Sequence, residues 1–281
     1  MRAVIFVPAP DFPEDWDWAF EVEAGVLLRA GFSVEAREWT QAGDLQGFDL
    51  ALPLVAWGYH LDPARWHALL DRLERESIPT LNPVPLLRWN SDKRYLAELG
   101  TNGIATIPTM VVEALDDEAL GAVRAAFGDE LVIKPPVSAS ADGTHRLGPG
   151  DPVPPDSVGR TMMVQPFLRS VATEGEYSIM LFGGEFSHSI VKRPKSGDYR
   201  VQPHLGGSEQ RCEPPEGAIE LAHSAIAAAP AKAAYARVDM VRDNDGKLAI
   251  IELELIEPAL WLQHAPDGGD AFASALRAAL P

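Results

Sequence analysis

Positive charge is scarce in this chain. Its 281 residues hold 24 Lys and Arg against 41 Asp and Glu, a formal net charge of −17 at pH 7. Nucleic acids and anionic membrane surfaces select basic faces, so neither is an expected partner. Cysteine is nearly absent too. With Cys212 alone no intrachain disulfide can form, and a reduced, cytoplasmic setting is expected. No apolar run approaches the roughly 20 residues that cross a bilayer. The opening "MRAVIFVPAPDF" reads as one short strand ending at prolines, not as a signal peptide. The strings G-x-x-x-x-G-K-[ST] and G-x-G-x-x-G do not occur, which argues against a Walker loop and a Rossmann dinucleotide turn. The seven histidines have no HExxH or Cx₂C company, so zinc is not expected, and no Ser/His/Asp or Cys/His set stands out.

What is present is an ordinary globular balance, 46% hydrophobic and 23% charged, in a chain long enough for two or three packed units. The N-terminal third alternates strand and helix patterns: "AVIFVP", the helical "DWAFEVEAGVLLRAGF", "SVEAREW", "FDLALPLVAW", the amphipathic "PARWHALLDRLERES" and "IPTLNP". That alternation predicts a parallel sheet with crossover connections. In "NSDKRYLAELGTNG", Asn and Ser read as caps before a short helix. From about residue 105 the texture changes. Strands "ATIPTMVV" and "ELVIKPP" flank the helix "DDEALGAVRAAF", and a small, polar, Pro/Gly-rich loop follows. The strand "TMMVQPFL" leads to a hairpin turning on Gly183-Gly184, an irregular "GDYRVQPHLGG" and a helix at "EGAIELAHSAIAAA". A second hairpin, "YARVDMV-RDNDGK-LAIIELEL", precedes a last helix.

That second hairpin carries the first chemical signal. If Arg242 opposes Lys247, then Asp239 opposes Ile250 and Arg237 opposes Glu252. Period-2 alternation then puts Arg237, Asp239, Glu252 and Glu254 on one face, and Val238, Met240, Ile251, Leu253 and Leu255 on the other. A half-exposed strand with its polar side in water fits this pattern equally well. In a cleft, two carboxylates about 4 Å apart repel by roughly 4 kcal/mol at an effective dielectric near 20, so such a site calls for cations. Magnesium, hard and oxygen-seeking, suits it.

The lysines favour the cleft. There are only six in so acidic a chain. Lys134 ends the apolar strand "LVIK" just before the small-residue loop 137–144, whose Ser138 and Ser140 let backbone N–H groups approach a phosphate. Lys93 begins a helix, where phosphate oxygens are also stabilised, although an exposed helix residue would look the same. Gln165, Pro166, Phe167 and Leu168 resemble a hinge whose backbone pairs with an adenine edge, and Glu176 stands where it could accept ribose hydroxyls. Strand surface explains Gln165 and Glu176 equally well.

Taken in order, Lys93, "VIKP" with its small-residue loop, "VQPFL", "GEYS", "DYR…GG", "RVD" and an acidic strand ending in proline resemble the ATP-grasp superfamily. Within it, "RWNSDKRYLAEL", "GEFSHSIVKRP", "YARVD" and "LELIEPAL" are similar to bacterial glutathione-synthetase-like ligases. The resemblance implies an α/β and α+β architecture. A pre-ATP-grasp parallel-sheet domain at 1–88 would precede a central ATP-grasp subdomain at 89–165 and a C-terminal subdomain with the metal site at 166–281. It implies ATP as cosubstrate, held at its α- and β-phosphates by Lys93 and Lys134, with 137–144 closing over the γ-phosphate. Asp239, Glu252 and Glu254 would hold two magnesium ions, or manganese in their place. Arg237 and Arg200 would stabilise an acyl phosphate and the tetrahedral species after it. Lys192 would meet the transferred phosphate or a substrate carboxylate. Many relatives carry Asn where Glu254 stands, followed by Ser-Pro-Gly. The longer Glu254-Leu-Ile-Glu257-Pro258 here is closer to the cyclo-ligase group.

The implied reaction is phosphoryl transfer from ATP to a carboxylate of an amino-acid-like small molecule, then attack by an amine. It asks for positioning and charge neutralisation more than for a protein nucleophile. Whether carboxylate and amine share one molecule stays open, as do a small-molecule kinase and a nucleotide-binding module without turnover. Relatives are often dimers or tetramers, which leaves a homodimer or homotetramer open. His188 and His204 are candidates for the substrate pocket, satisfied polar histidines being the plainer reading. Cys212, read as a loop residue, carries no expected role.

Overall fold

The strand β1 (Arg2–Val7) is buried along its length except at its first residue, Arg2, because both of its faces are covered. Ala3, Ile5 and Val7 pack toward the helix α1 (Asp17–Arg29), while Val4 and Phe6 pack with Trp66 and Leu70 of α2 (Pro63–Arg75). With β2 (Ser33–Glu38) and β3 (Leu50–Leu52) it forms a three-stranded parallel sheet in the order β2-β1-β3. The segment "IPTLNP" adds only a bridge between Thr80 and Ala51. This computed structural model describes residues 1–195, 201 and 206–280.

Two further helices follow, α3 (Val84–Asn90) and α4 (Tyr95–Thr101). The sequence reading gave one capped helix here, and the structure gives two joined by a turn. A four-stranded antiparallel sheet comes next, in the order β4-β7-β5-β6. Its members are β4 (Met110–Val112), β5 (Leu131–Lys134), β6 (His145–Leu147) and β7 (Met162–Pro166). The helix α5 (Asp117–Phe127) covers one side. Its N-cap Asp116 accepts from the Ala119 N–H at 2.8 Å. The strand β6 lies inside the stretch read as loop, too short and polar to betray itself.

After the short α6 (Ser170–Thr173), the strands β8 (Glu176–Phe182), β9 (Glu185–Arg193) and β10 (Ser208–Cys212) build a five-stranded antiparallel sheet. The helix α7 (Ala218–Ala227) separates them from β11 (Tyr235–Arg242) and β12 (Leu248–Glu254), and the order is β10-β9-β8-β11-β12. The helix α8 (Asp270–Ala279) packs on β8 and β11. Cys212 therefore ends a strand rather than sitting in a loop, a strand hidden by the polar run "SEQRC".

One docking decides where the site forms. The strand β12 lies at the edge of its sheet, where free backbone groups need partners. Backbone of Ala105 and Ile107 meets Ile250, and side chains of the α3–α4 segment serve Leu253 and Leu255. Asn90 Nδ2 donates to Leu253 C=O at 2.7 Å and its Oδ1 accepts from Leu255 N–H at 2.9 Å. Tyr95 Oη both donates to Leu253 C=O and accepts from Leu253 N–H, each at 2.9 Å. Leu86, Tyr95, Leu96 and Leu99 share a core with Val238, Met240 and Leu253. The segment holding Lys93 is thus fastened along the acidic strand. Asn90 works as a mimic of strand backbone, not as a helix cap.

Candidate active site

The register of the second hairpin differs from the one predicted. Arg237 opposes Glu254 and Asp239 opposes Glu252, and a bulge at Asp239/Met240 then shifts the pairing so that Met240 opposes Ile250. The turn is also wider than assumed: Asp243 N–H donates to Lys247 C=O at 2.8 Å, and Arg242 opposes Leu248. The total slip at the acids is even, so the predicted face survives. Ile251 does not stay on the apolar face; the bulge turns it to the cavity side while Ile250 enters the core. One oxygen each from Asp239, Glu252 and Glu254 lies within 4.8 Å of the others. Three hard carboxylate donors so close fit a magnesium-type ion.

The face is threaded by buried charge. Lys192 of β9 stands opposite Glu176 of β8 and forms a short ion pair with it, and its Nζ lies 3.0 Å from Asp239. Arg237 Nη2 lies 2.9 Å from Asp239 Oδ2 and pairs closely with Glu254. The Ser178 hydroxyl donates to Asp239 Oδ1 at 2.5 Å. Burial opposes the Asp239 charge, yet Arg237 and Lys192 outweigh it and hold the carboxyl well below the usual carboxylate range. Glu254 goes the other way. Burial, opposed by Arg237 but reinforced by Glu252 and Asp239, raises it to about 7.

Two lysines enter from elsewhere. Lys93 Nζ lies 2.6 Å from Glu252. Burial works against its charge, but Glu252 holds the ammonium above its ordinary value. The expected helix-terminus contribution is a correction: Lys93 precedes α4, a helix of seven residues, and its N–H already donates to Pro136 C=O at 2.8 Å. That bond ties Lys93 to the end of β5, where Lys134 sits. Lys134 is buried and has no ion pair among the described residues. Burial, then the neighbouring Lys93, lowers its ammonium to about 8. In the adjoining loop Ser140 and Ala141 take left-handed backbone (φ 50° and 61°), and the buried Ser138 hydroxyl donates to Pro135 C=O at 3.1 Å. Ser138 and Ser140 both line the cavity described next.

The charged groups among these all line one cavity of about 850 Å³. On its far side is the segment expected to be a hinge. Phe167 N–H donates to Glu130 C=O at 2.9 Å, so strand alternation turns the Pro166 carbonyl the other way. Gln165 Nε2 donates to Thr109 Oγ1 at 2.9 Å, which directs its amide to the sheet. Leu168 and Glu176 line the same cavity. Trp18, Trp57 and His60, from the N-terminal part of the chain, line it as well.

Arg200 and His204 lie outside the described residues. His188 does not line the cavity: it is buried, with Nε2 3.0 Å from Leu260 C=O and Nδ1 3.0 Å from Ser187 Oγ. Burial lowers its imidazole to about 4. Glu257 and Trp261 are among the cavity residues that escaped assignment from the sequence. Glu257 was visible as a third acid near the strand, though without a role; a lone Trp in "EPALWLQ" gave no signal.

Known proteins resemble this chain in sequence and in fold. The family model for the N-terminal domain of D-cycloserine synthetase DcsG matches residues 4–82. The cycloserine biosynthesis protein DcsG of Streptomyces lavendulae is 31% identical over 290 residues, covering 95% of both chains. A glutathione synthetase of Prochlorococcus marinus is 32% identical over 53% of this chain and 47% of its own. Among solved structures, D-cycloserine synthetase DcsG superposes with a TM-score of 0.86 at 27% identity, covering 100% of both chains. D-alanine–D-alanine ligase from Bacillus anthracis, at 16% identity and a TM-score of 0.69 over 99% of this chain and 95% of its own, shares the fold.

Proposed function

This chain belongs to the DcsG family of ATP-grasp ligases, and we propose that it joins a carboxylate and an amine of one amino-acid-like molecule. It is an ATP-dependent, ADP-forming ligase that makes an amide bond and uses a divalent metal ion. The observation that carries the assignment of roles is the meeting of Asp239, Glu252 and Glu254 with Lys93 and Lys134 around one cavity.

Asp239, Glu252 and Glu254 would hold two magnesium ions, which would neutralise phosphate charge. Lys93 and Lys134 bind the α- and β-phosphates, and Ser138 and Ser140 close backbone over the γ-phosphate. The Pro166 carbonyl and Leu168 N–H take the adenine edge beside Gln165 and Phe167, and Glu176 takes the ribose. The terminal phosphoryl passes to the substrate carboxylate, giving ADP and an acyl phosphate. The amine nitrogen then bonds to the carbonyl carbon, the C–O bond to phosphate breaks, and the nitrogen loses a proton. Arg237, with Arg200 as the second guanidinium, orients the acyl phosphate and stabilises the oxygen that gains charge. Lys192 neutralises the departing phosphate.

Closure within one molecule is favoured by how far each resemblance extends. Likeness to DcsG runs through the whole chain, including the N-terminal domain that faces the cavity, whereas likeness to the Prochlorococcus glutathione synthetase covers 53% of it. The test is a magnesium-dependent phosphate-release screen over amino-acid-like carboxylates bearing a second nucleophile, with mass detection. Ring closure gives a product lighter than its substrate by one water. A product joining two molecules would contradict the intramolecular reading, and a phosphorylated end product would contradict amide formation.

A further inference from the structure

Four acids facing the cavity each have a cation against them. Glu252 has Lys93, Glu176 and Asp239 have Lys192, and Glu254 has Arg237. Glu257 has none. It lines the same cavity, just past the end of β12, yet among the described residues its carboxyl makes no ion pair and no hydrogen bond. Among the described residues its polar contact runs through its backbone: its carbonyl accepts from the Trp57 indole at 3.3 Å. Nor does Glu257 belong to the three-carboxylate group that suits a metal ion. A carboxyl in a cavity wall with no ion-pair partner is costly to charge unless a cation arrives to meet it.

A second, independent feature lies on the same wall. Trp261 is 5% exposed and lines the cavity, and its indole Nε1 is buried with no acceptor among the described residues. An indole N–H can only donate. Its ring is already occupied by cations, with the Arg237 guanidinium 5.1 Å and the Lys192 ammonium 5.7 Å from the centroid. The unmet need is therefore for an oxygen at the ring edge. Beside Glu257, Trp57 and Trp18, with ring centroids 5.7 Å apart, offer an apolar surface for a small carbon frame.

A ligand that meets both needs presents a cation to Glu257 and an oxygen acceptor to Trp261. We propose that Glu257 is the residue that recognises a substrate ammonium group, with Trp261 donating to an oxygen of the same molecule. This rests on the ligase reading and deepens it. The free ammonium group of the amino-acid-like substrate is then an anchor. Glu257 is then a specificity residue beside the metal ligands, not a further metal ligand.

The test uses the full chain loaded with Mg²⁺ and a non-hydrolysable ATP analogue. D- and L-alanine and D- and L-serine are titrated calorimetrically beside their N-acetyl and des-amino counterparts. At least one amino acid should bind about ten- to a hundredfold more tightly than its counterparts, the span expected when a charge-assisted hydrogen bond is lost. In Glu257→Gln that amino acid should fall to the level of its counterparts while nucleotide affinity and its Mg²⁺ dependence stay unchanged. Trp261→Phe should weaken the amino acid and keep the preference for an ammonium. Equal binding of the N-acetyl form to the unaltered protein, or no amino acid binding at all, would overturn the assignment without any variant. An altered Mg²⁺ requirement in Glu257→Gln would overturn it in favour of a metal role. Failure of the nucleotide itself to bind would instead strike the ligase reading.

Discussion

The Lys93 ammonium and the Glu252 carboxylate lie 2.6 Å apart, although one precedes α4 and the other is on β12. What brings them together is the pairing of Asn90 and Tyr95 with the free backbone of Leu253 and Leu255. Tyr95→Phe removes a hydroxyl that serves a buried N–H and a buried C=O at once. The expected cost is about 1–3 kcal/mol of stability, together with weaker nucleotide binding as Lys93 loosens. Urea melts and nucleotide titrations check this, and an unchanged midpoint would contradict the fastening role.

Asp239 and Glu254 separate structure from chemistry. Asp239 stands between Arg237 and Lys192, so Asp239→Asn leaves two buried cations short of charge and should destabilise the fold by about 3–5 kcal/mol. Its depressed carboxyl contributes stability that is present above the ordinary aspartate value and lost as pH falls toward the native value. Thermal melts of wild type and Asp239→Asn should converge as the medium is acidified.

Glu254→Gln should keep the fold and abolish turnover, a loss of at least about a hundredfold if it removes transition-state stabilisation. Because burial raises Glu254 to about 7, apparent metal affinity should climb with pH up to about 7 and then level. In Glu254→Gln that climb should vanish. Full activity in the variant would remove Glu254 from the metal site.

Lys134 offers a second pH signature. Its ammonium titrates near 8 because it is buried beside Lys93, so free protein loses this charge above that value. Nucleotide affinity should fall as pH rises through about 8. Lys134→Ala should bind nucleotide about ten- to a hundredfold more weakly and lack that fall. Identical profiles would contradict the phosphate role.

Away from the cavity, Glu23 on α1 is 3% exposed and its Oε2 has no partner among the described residues. Burial pushes its carboxyl well above the usual value. Such a group leaves stability intact below the unfolded value near 4.5 and withdraws it as pH rises toward the native value. Glu23→Gln should therefore melt higher than wild type at pH 7–8, by about 2–4 °C per kcal/mol gained. The gap should close near pH 4.5. A gap that does not change with pH would contradict the account.

Much of the site could be read from residue order. Period-2 alternation placed Arg237, Asp239, Glu252 and Glu254 on one face even though the register was wrong, because the slip was even. Scarcity of lysine drew attention to Lys93 and Lys134. What could not be read depends on contacts distant in sequence. Asn90 looks like a cap until β12 lies beside it, and β6 and β10 are too short and polar to stand out. Trp261 gains meaning only from the cavity it borders.

The most direct test is a crystal structure grown with Mn²⁺ and a non-hydrolysable ATP analogue, with the metal located by anomalous scattering. Metal density about 2.0–2.6 Å from oxygens of Asp239, Glu252 and Glu254, with phosphate oxygens about 2.7–3.2 Å from the ammonium groups of Lys93 and Lys134, is the predicted result. Metal and triphosphate bound anywhere else on the molecule would contradict it.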